Sequence, residues 1–363
     1  MQLSSTLTWL VDSASTSPGA GRFLGELGAR LAGDGLPLAG GALTLAVPHP
    51  IIARRTWLWR AGNGEVIEAV GFASAGFAAG VSDLAGDAGR GWLAALAGGT
   101  VHEDVVGTGP DGPLLGWIGP RPFTAEEAGR LHDAARFAAA PLAALSARAT
   151  LTAALEAYLG RRSAARVLAG TLRREVGETI RAVLLYADLR SFTALSEAEP
   201  PAAVITALGA WFDCIAGAVH AFGGEVLKFI GDGMLAIFPV VAENPREACN
   251  AALRAVSSAQ AGMAHLDGVR REQGLPSLAF GAALHLGEIL WGNVGAADRL
   301  DFTAIGPAVN LVSRLEGLCR PLGRTVLISG AVAAETDAGL IPLGTHALRG
   351  IAAPCAVYTV PDP

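Results

Sequence analysis

The chain has 363 residues, enough for two ordinary domains with their own cores. It is 51% hydrophobic and 17% charged, with a formal net charge of -6 and no block of basic residues, which argues against a nucleic-acid partner. Its four cysteines, Cys214, Cys249, Cys319 and Cys355, are scattered and form no CxxC pair, so zinc and disulfide scaffolds are poorly supported and a reducing cytoplasm is expected.

In chain order, Gly21–Ala32 reads as a helix. Short apolar strands follow at Ala42–Val47, Thr56–Trp59, Val66–Val70, Val101–Val106 and Leu114–Ile118, with Gly and Pro between them. Residues 1–122 therefore read as a small α/β domain. The longest uncharged run, around Gly35 to Ala53, carries Pro37, Pro48 and Pro50, whereas a spanning helix needs roughly 20 apolar residues free of such breakers. No transmembrane segment is expected. No basic residue precedes Arg22, so no secretory leader is expected either.

Thr124 and Glu127 have the spacing of a capping box and open a helical stretch over 123–176, with breaks expected at Pro141, Gly160 and Gly170. Its leucines, Leu142, Leu145, Leu151, Leu155 and Leu159, suit either a dimer seam or packing onto a neighbouring domain.

From Ile180 the pattern changes. An apolar run, Ala182–Ala187, ends in Asp188, and a helix is predicted over Ala202–Phe222. A hairpin follows, with strands Glu225–Ile230 and Met234–Phe238 about a Gly231-Asp232-Gly233 turn. Then come a helix over Pro245–Gln273, a strand over Leu278–Leu284, a helix over Pro307–Leu318 and a strand over Val326–Ser329. This order predicts an α+β sandwich with helices covering an antiparallel-rich sheet.

Asp188 and Asp232 each sit where an apolar strand meets a turn. Carboxylates held there can share divalent cations, and magnesium favours a few carboxylates plus substrate phosphates. Either Asp alone would be ordinary turn chemistry. After Asp188, Ser191-Phe192-Thr193 opens a helix whose N–H groups can cradle phosphate. Asn310 and Arg314, four apart, share one helix face, where Arg314 can meet charge on a phosphoryl group and Asn310 can orient a sugar. Lys228 is the only lysine in a chain otherwise supplied with Arg. It lies in the interior of an apolar strand, so it requires a partner. An ammonium can donate to N1 of adenine, and the Thr303 hydroxyl can receive the exocyclic amine.

Five segments in order carry a resemblance: Ala187-Asp188-Leu189-Arg190-Ser191-Phe192-Thr193, Lys228-Phe229-Ile230-Gly231-Asp232-Gly233, Gly287 through Gly295, Phe302-Thr303-Ala304-Ile305-Gly306, and Val309-Asn310 through Arg314. Together they resemble the class III nucleotidyl cyclases, over about Arg181 to Val360. The resemblance implies a ferredoxin-like α+β catalytic domain over 177–363. It implies Asp188, Asp232 and the Leu189 carbonyl as ligands of two Mg²⁺ or Mn²⁺ ions, with Phe192 and Thr193 at the phosphates. Lys228 and Thr303 become the purine readers, and Asn310 and Arg314 the transition-state residues. In this family Lys with Asp or Thr goes with ATP, and Glu with Cys goes with GTP. The metal carboxylates and the remaining residues come from different protomers, so a homodimer is implied. Two departures stand out. Ser191 replaces a common Gly, and the triphosphate-binding basic residue is indistinct, with Arg349 the candidate. A catalytically silent cyclase-like module and a guanylate cyclase are the alternatives.

The helix opening at Phe123 resembles the closing helix of a GAF domain, which makes the N-terminal domain a candidate sensor and 123–176 its helical linker. Its residues name no ligand. It has no cysteine; Trp57, Trp59, Trp92 and Trp117 suit a core, and His49, His102 and His132 are its histidines.

Overall fold

The computed structural model describes residues 3–46, 52–72, 82–107, 112–170, 177–296 and 300–361. The chain divides into two compact units, Met1–Leu155 and Glu156–Pro363.

The N-terminal unit runs α1 (Ser5–Asp12), α2 (Ala20–Gly33), β1 (Gly40–Ala46), β2 (Ile52–Arg60), β3 (Val66–Phe72), α3 (Ser82–Ala97), β4 (His102–Val105), β5 (Leu114–Ile118), α4 (Ala125–Phe137) and α5 (Ala139–Leu159). Its strands form one antiparallel sheet in the order β3-β2-β1-β5-β4. All five predicted strands are present. Two helices, α1 and α3, were not anticipated. In α3 the glycines mask the helical pattern; Gly89 faces the sheet, where a Cβ would meet Ala42 and Thr56 at an ordinary 3.4 Å. Trp59 and Trp117 meet edge to face at 6.3 Å in the core, as expected of core tryptophans. His102 and His132 both bond to Asp104, at 2.9 and 2.8 Å, and His49 lies outside the described residues.

The Thr124 capping box forms as predicted. Thr124 Oγ1 accepts from Glu127 N at 3.3 Å, and Glu127 accepts from Thr124 N at 2.8 Å. Arg121 grips the same carboxylate through two 2.8 Å bonds. Pro141 does not interrupt a helix. It sits in the first turn of α5, where a missing N–H is tolerated, and the break falls at Ala138. The leucines divide: Leu142 and Leu145 are buried in this unit's core, while Leu151 is exposed.

The C-terminal unit continues with α6 (Arg161–Leu168), β6 (Gly177–Leu189), α7 (Phe192–Ala198), α8 (Pro201–Ala221), β7 (Glu225–Ile230), β8 (Gly233–Pro239), α9 (Pro245–Glu272), β9 (Phe280–Gly295), β10 (Leu300–Ile305), α10 (Pro307–Glu316), β11 (Val326–Ser329), α11 (Gly330–Ala333), β12 (Ile341–His346) and β13 (Cys355–Thr359). The eight-stranded sheet has the order β12-β13-β11-β9-β6-β8-β7, and β10 pairs with β9. Among the described residues only the β11–β9 pairing of this sheet is parallel. The predicted α+β class is the one observed. The strand foreseen at Leu278–Leu284 is the start of the much longer β9, and β10, β12 and β13 were not foreseen.

Alternation along β6 explains its unbroken apolar run. Val183, Leu185, Ala187 and Leu189 face one core with α8 and α9, while Ala182, Leu184 and Tyr186 face the other, beneath α10. Asp188 therefore emerges on the α10 side. By length and composition α8 could cross a membrane, as could α4 and α5 together across their 44° bend. Both instead contribute to cores, α8 through Trp211, Ile215 and Val219. All four cysteines are free, and burial pushes Cys249 and Cys319 up to about 12, so these two are inert as thiolates.

Candidate active site

Asp188 lies near the end of β6, flanked by its register partners Gly233 on β8 and Gly281 on β9. The β7–β8 hairpin turns at Gly231, whose φ of 63° suits glycine, and delivers Asp232 beside it. Leu189 N donates to the Asp232 carbonyl at 3.3 Å, which fixes the hairpin to the strand end. The two carboxyl groups are close enough to bear on each other's ionisation. Burial, then the charge of Asp232, pushes Asp188 up to about 6. Two adjacent oxygen donors that resist joint ionisation fit a hard divalent cation, whose field relieves the repulsion. Among the described residues no group of three His, Cys, Asp or Glu side chains is placed to hold a metal. A cation held by Asp188 and Asp232 would need further ligands from the Leu189 carbonyl, substrate or water.

Beyond Leu189 the chain turns through Ser191 at φ 60°, a left-handed conformation that costs a non-glycine residue about 1 kcal/mol. This is the physical reason a glycine suits that position. Phe192, half-buried, and Thr193, exposed, then form the first turn of α7.

The base-reading candidates lie on β7 and β10. Lys228 is not enclosed in the core as its apolar surroundings implied. β7 is the sheet edge, and a bulge between Val226 and Lys228 buries Leu227 while leaving the Lys228 side chain 37% exposed. Its partner is Asp301, with which it forms an ion pair. Strand alternation places Thr303 on the same face as Asp301, opposite the buried Phe302 and Ala304. On α10, Asn310 and Arg314 stand exposed one turn apart, while Ala308, Val312 and Leu315 are buried. Among the described residues neither Asn310 nor Arg314 is bonded through its side chain to Asp188 or Asp232. Arg349 is exposed in the turn between β12 and β13, and no bond ties it to either cluster.

Three residues were missed in the sequence. Asp301 had a usable signal, standing two positions before Thr303. Tyr186 and Glu316 had none, since only packing brings them to the carboxylate pair. The Tyr186 hydroxyl would be 2.9 Å from a Cβ on Gly233, and burial followed by Asp188, Glu316 and Asp232 raises it. Glu316 Oε1 occupies the space a Cβ on Gly281 would need. Burial, then Asp188, pushes Glu316 up to about 7, with Arg190 opposing.

Residues 176–337 match the family model of the adenylate and guanylate cyclase catalytic domain. Adenylate cyclase 1 of Rhizobium meliloti (strain 1021) is 33% identical over 181 residues, which is 48% of this chain and 27% of that protein. Adenylate cyclase of Anabaena cylindrica is 35% identical over 164 residues, 44% of this chain and 32% of that one. The match thus spans about a third or less of these relatives' own length. A solved bacterial light-regulated adenylyl cyclase shares the fold, with a TM-score of 0.52 at 21% identity over 72% of this chain and 85% of that chain. The motif order, the carboxylate pair at the strand end and the family match agree: residues 176–337 carry the likeness to the adenylate and guanylate cyclase catalytic domain.

Proposed function

We propose that this protein is an adenylate cyclase that converts ATP to 3′,5′-cyclic AMP and pyrophosphate at sites shared between two copies of the chain. The observation that carries the choice of ATP is Lys228. The only lysine in the sequence is ion-paired at the sheet edge beside Thr303, where its ammonium can donate to adenine N1 and the threonine hydroxyl can accept from the exocyclic amine. A guanine presents a protonated N1 and an O6 acceptor, which reverses both contacts.

Asp188, Asp232 and the Leu189 carbonyl would hold Mg²⁺ or Mn²⁺, which supplies charge neutralisation at the phosphates and makes the ribose 3′-oxygen a better nucleophile. Backbone N–H groups at Phe192 and Thr193, with Arg349, hold the triphosphate. Asn310 orients the ribose and Arg314 meets the charge that develops on the α-phosphate. The 3′-oxygen forms its bond to the α-phosphorus as the α–β phosphoanhydride bond breaks in line, and pyrophosphate leaves.

A homodimer is favoured by the surroundings of the base-reading residues. Phe229, Ile230, Leu290, Val294, Leu300 and Ile305 are large, apolar and 39–52% exposed on β7, β9 and β10. Apolar side chains grouped in this way mark an interaction surface. The N-terminal unit, with its own core and five-stranded sheet, acts as the sensor that sets the output in the cytoplasm.

The test is product formation by the purified full-length chain with ATP and GTP in parallel, in Mg²⁺ and in Mn²⁺. Cyclic AMP from ATP alone is the expected result. Cyclic GMP as the main product would overturn the base assignment, and no product from either would favour a silent nucleotide-binding module.

A further inference from the structure

Glu316 ends α10, two residues after Arg314, and points the other way. Leu315 and Cys319 are buried beneath the helix, and the Glu316 carboxylate reaches the sheet at Gly281. Gly281 is the register partner of Asp188. Opposite residues in an antiparallel pair project to the same face, so Glu316 fills the space beside the Asp188 side chain that a residue larger than glycine would take. The glycine on the other flank, Gly233, makes equivalent room for the Tyr186 hydroxyl.

Arg190 completes the arrangement. It directly follows Leu189, and its N–H donates to the Ala279 carbonyl at 2.7 Å, at the entrance to β9. Its guanidinium donates to the Arg324 carbonyl in the loop before β11, and Arg324 N in turn donates to the Cys319 carbonyl, in the turn after α10, at 2.9 Å. The peptide that carries the Leu189 carbonyl is thus strapped at its next residue to the entrance of β9 and to the loop that follows α10. Glu316 does not join the two aspartates as a metal-holding triad.

We infer that Glu316, with Arg190 opposite it, is a positioning residue that braces the metal-binding end of β6 against helix α10. This rests on the assignment of Asp188 and Asp232 as metal carboxylates. Glu316 holds Asp188 in place and adds a negative charge beside the cation without binding it. The same helix presents Asn310 and Arg314 on its outer face. In a shared-site dimer, α10 therefore touches the metal end of its own protomer while serving the partner's site, so metal occupancy at one site bears on the other.

The experiment is Mn²⁺ binding to the full-length chain, followed by electron paramagnetic resonance, in the native protein, Glu316→Gln, Glu316→Asp and Asp188→Ala. Groups that support metal ligands typically change metal affinity about 10- to 100-fold when altered. Glu316→Gln is expected to weaken Mn²⁺ binding about tenfold and Glu316→Asp by less, since the charge is kept and only the reach is shortened. The Mg²⁺ concentration for half-maximal activity should rise in parallel, while KM for ATP at saturating metal changes by less than about twofold, a split that general damage to the fold would not produce. Native Mn²⁺ affinity in Glu316→Gln, with binding lost in Asp188→Ala, would overturn the bracing role and leave the metal assignment standing. Native affinity in Asp188→Ala would overturn the metal assignment, and the inference with it.

Discussion

Replacing Asp188 with Ala and Asn310 with Ala in separate chains should abolish activity in each, and mixing the two should restore part of it. Neither change threatens the fold. Asp188 is held near 6 by burial and by its neighbour Asp232, so its removal relieves a repulsion. Asn310 is exposed, and surface substitutions of this kind usually stay within about 0.5 kcal/mol. If each site takes its carboxylates from one protomer and Asn310 and Arg314 from the other, a mixed dimer rebuilds one complete site and loses its second twice over. Random exchange makes about half of all dimers mixed, each with one of two sites intact, so recovery should approach about a quarter of the native rate per chain. The assay is cyclic AMP formation after exchange of differently tagged chains, with the mixed species verified by sequential affinity capture. A verified mixed dimer with no activity would refute the shared site. Substantial activity in Asp188→Ala alone would refute the metal role of that carboxylate.

Exchanging Lys228→Glu together with Thr303→Cys should lower the ratio of ATP to GTP turnover, measured as kcat/KM for each nucleotide; an unchanged ratio would place purine reading elsewhere. The carboxylate cluster also predicts a pH dependence. Asp188 rises from 3.8 to about 6 and Glu316 from 4.5 to about 7 on folding, so the folded chain binds more protons than the unfolded chain between those limits. The metal-free protein should therefore lose stability as pH rises from about 4 to 7 and level off above, and Mg²⁺ should restore it at pH 8 by binding the ionised form. Thermal melts across pH 5–8, with and without Mg²⁺, check this, and a melting temperature that climbs with pH in the absence of metal would contradict it.

Much of the chain was legible because its signals are local. Gly231-Asp232-Gly233 needs only its own dihedrals to turn a hairpin, and Thr124 with Glu127 caps a helix with groups three residues apart. The unbroken apolar run over Ala182–Ala187 similarly marked a strand ending in a carboxylate. The sole lysine, the spacing of Asn310 and Arg314, and the order of the motifs could all be read in one dimension. What stayed hidden depends on which strands meet. The glycines of α3 obscured a helix, and β10 is stabilised by pairing with β9. The edge position of β7 and its bulge decide that Lys228 is accessible and paired with Asp301. Glu316 lies 128 positions from Asp188, and nothing local ties it to the Asp188 end of β6. Residue types and spacings settled which chemistry the chain can carry, because those follow from side-chain chemistry and short-range geometry. Only the pairing of β6 with β8 and β9, and the packing of α10 across them, decided which charges share one site, because long-range register alone brings such residues together.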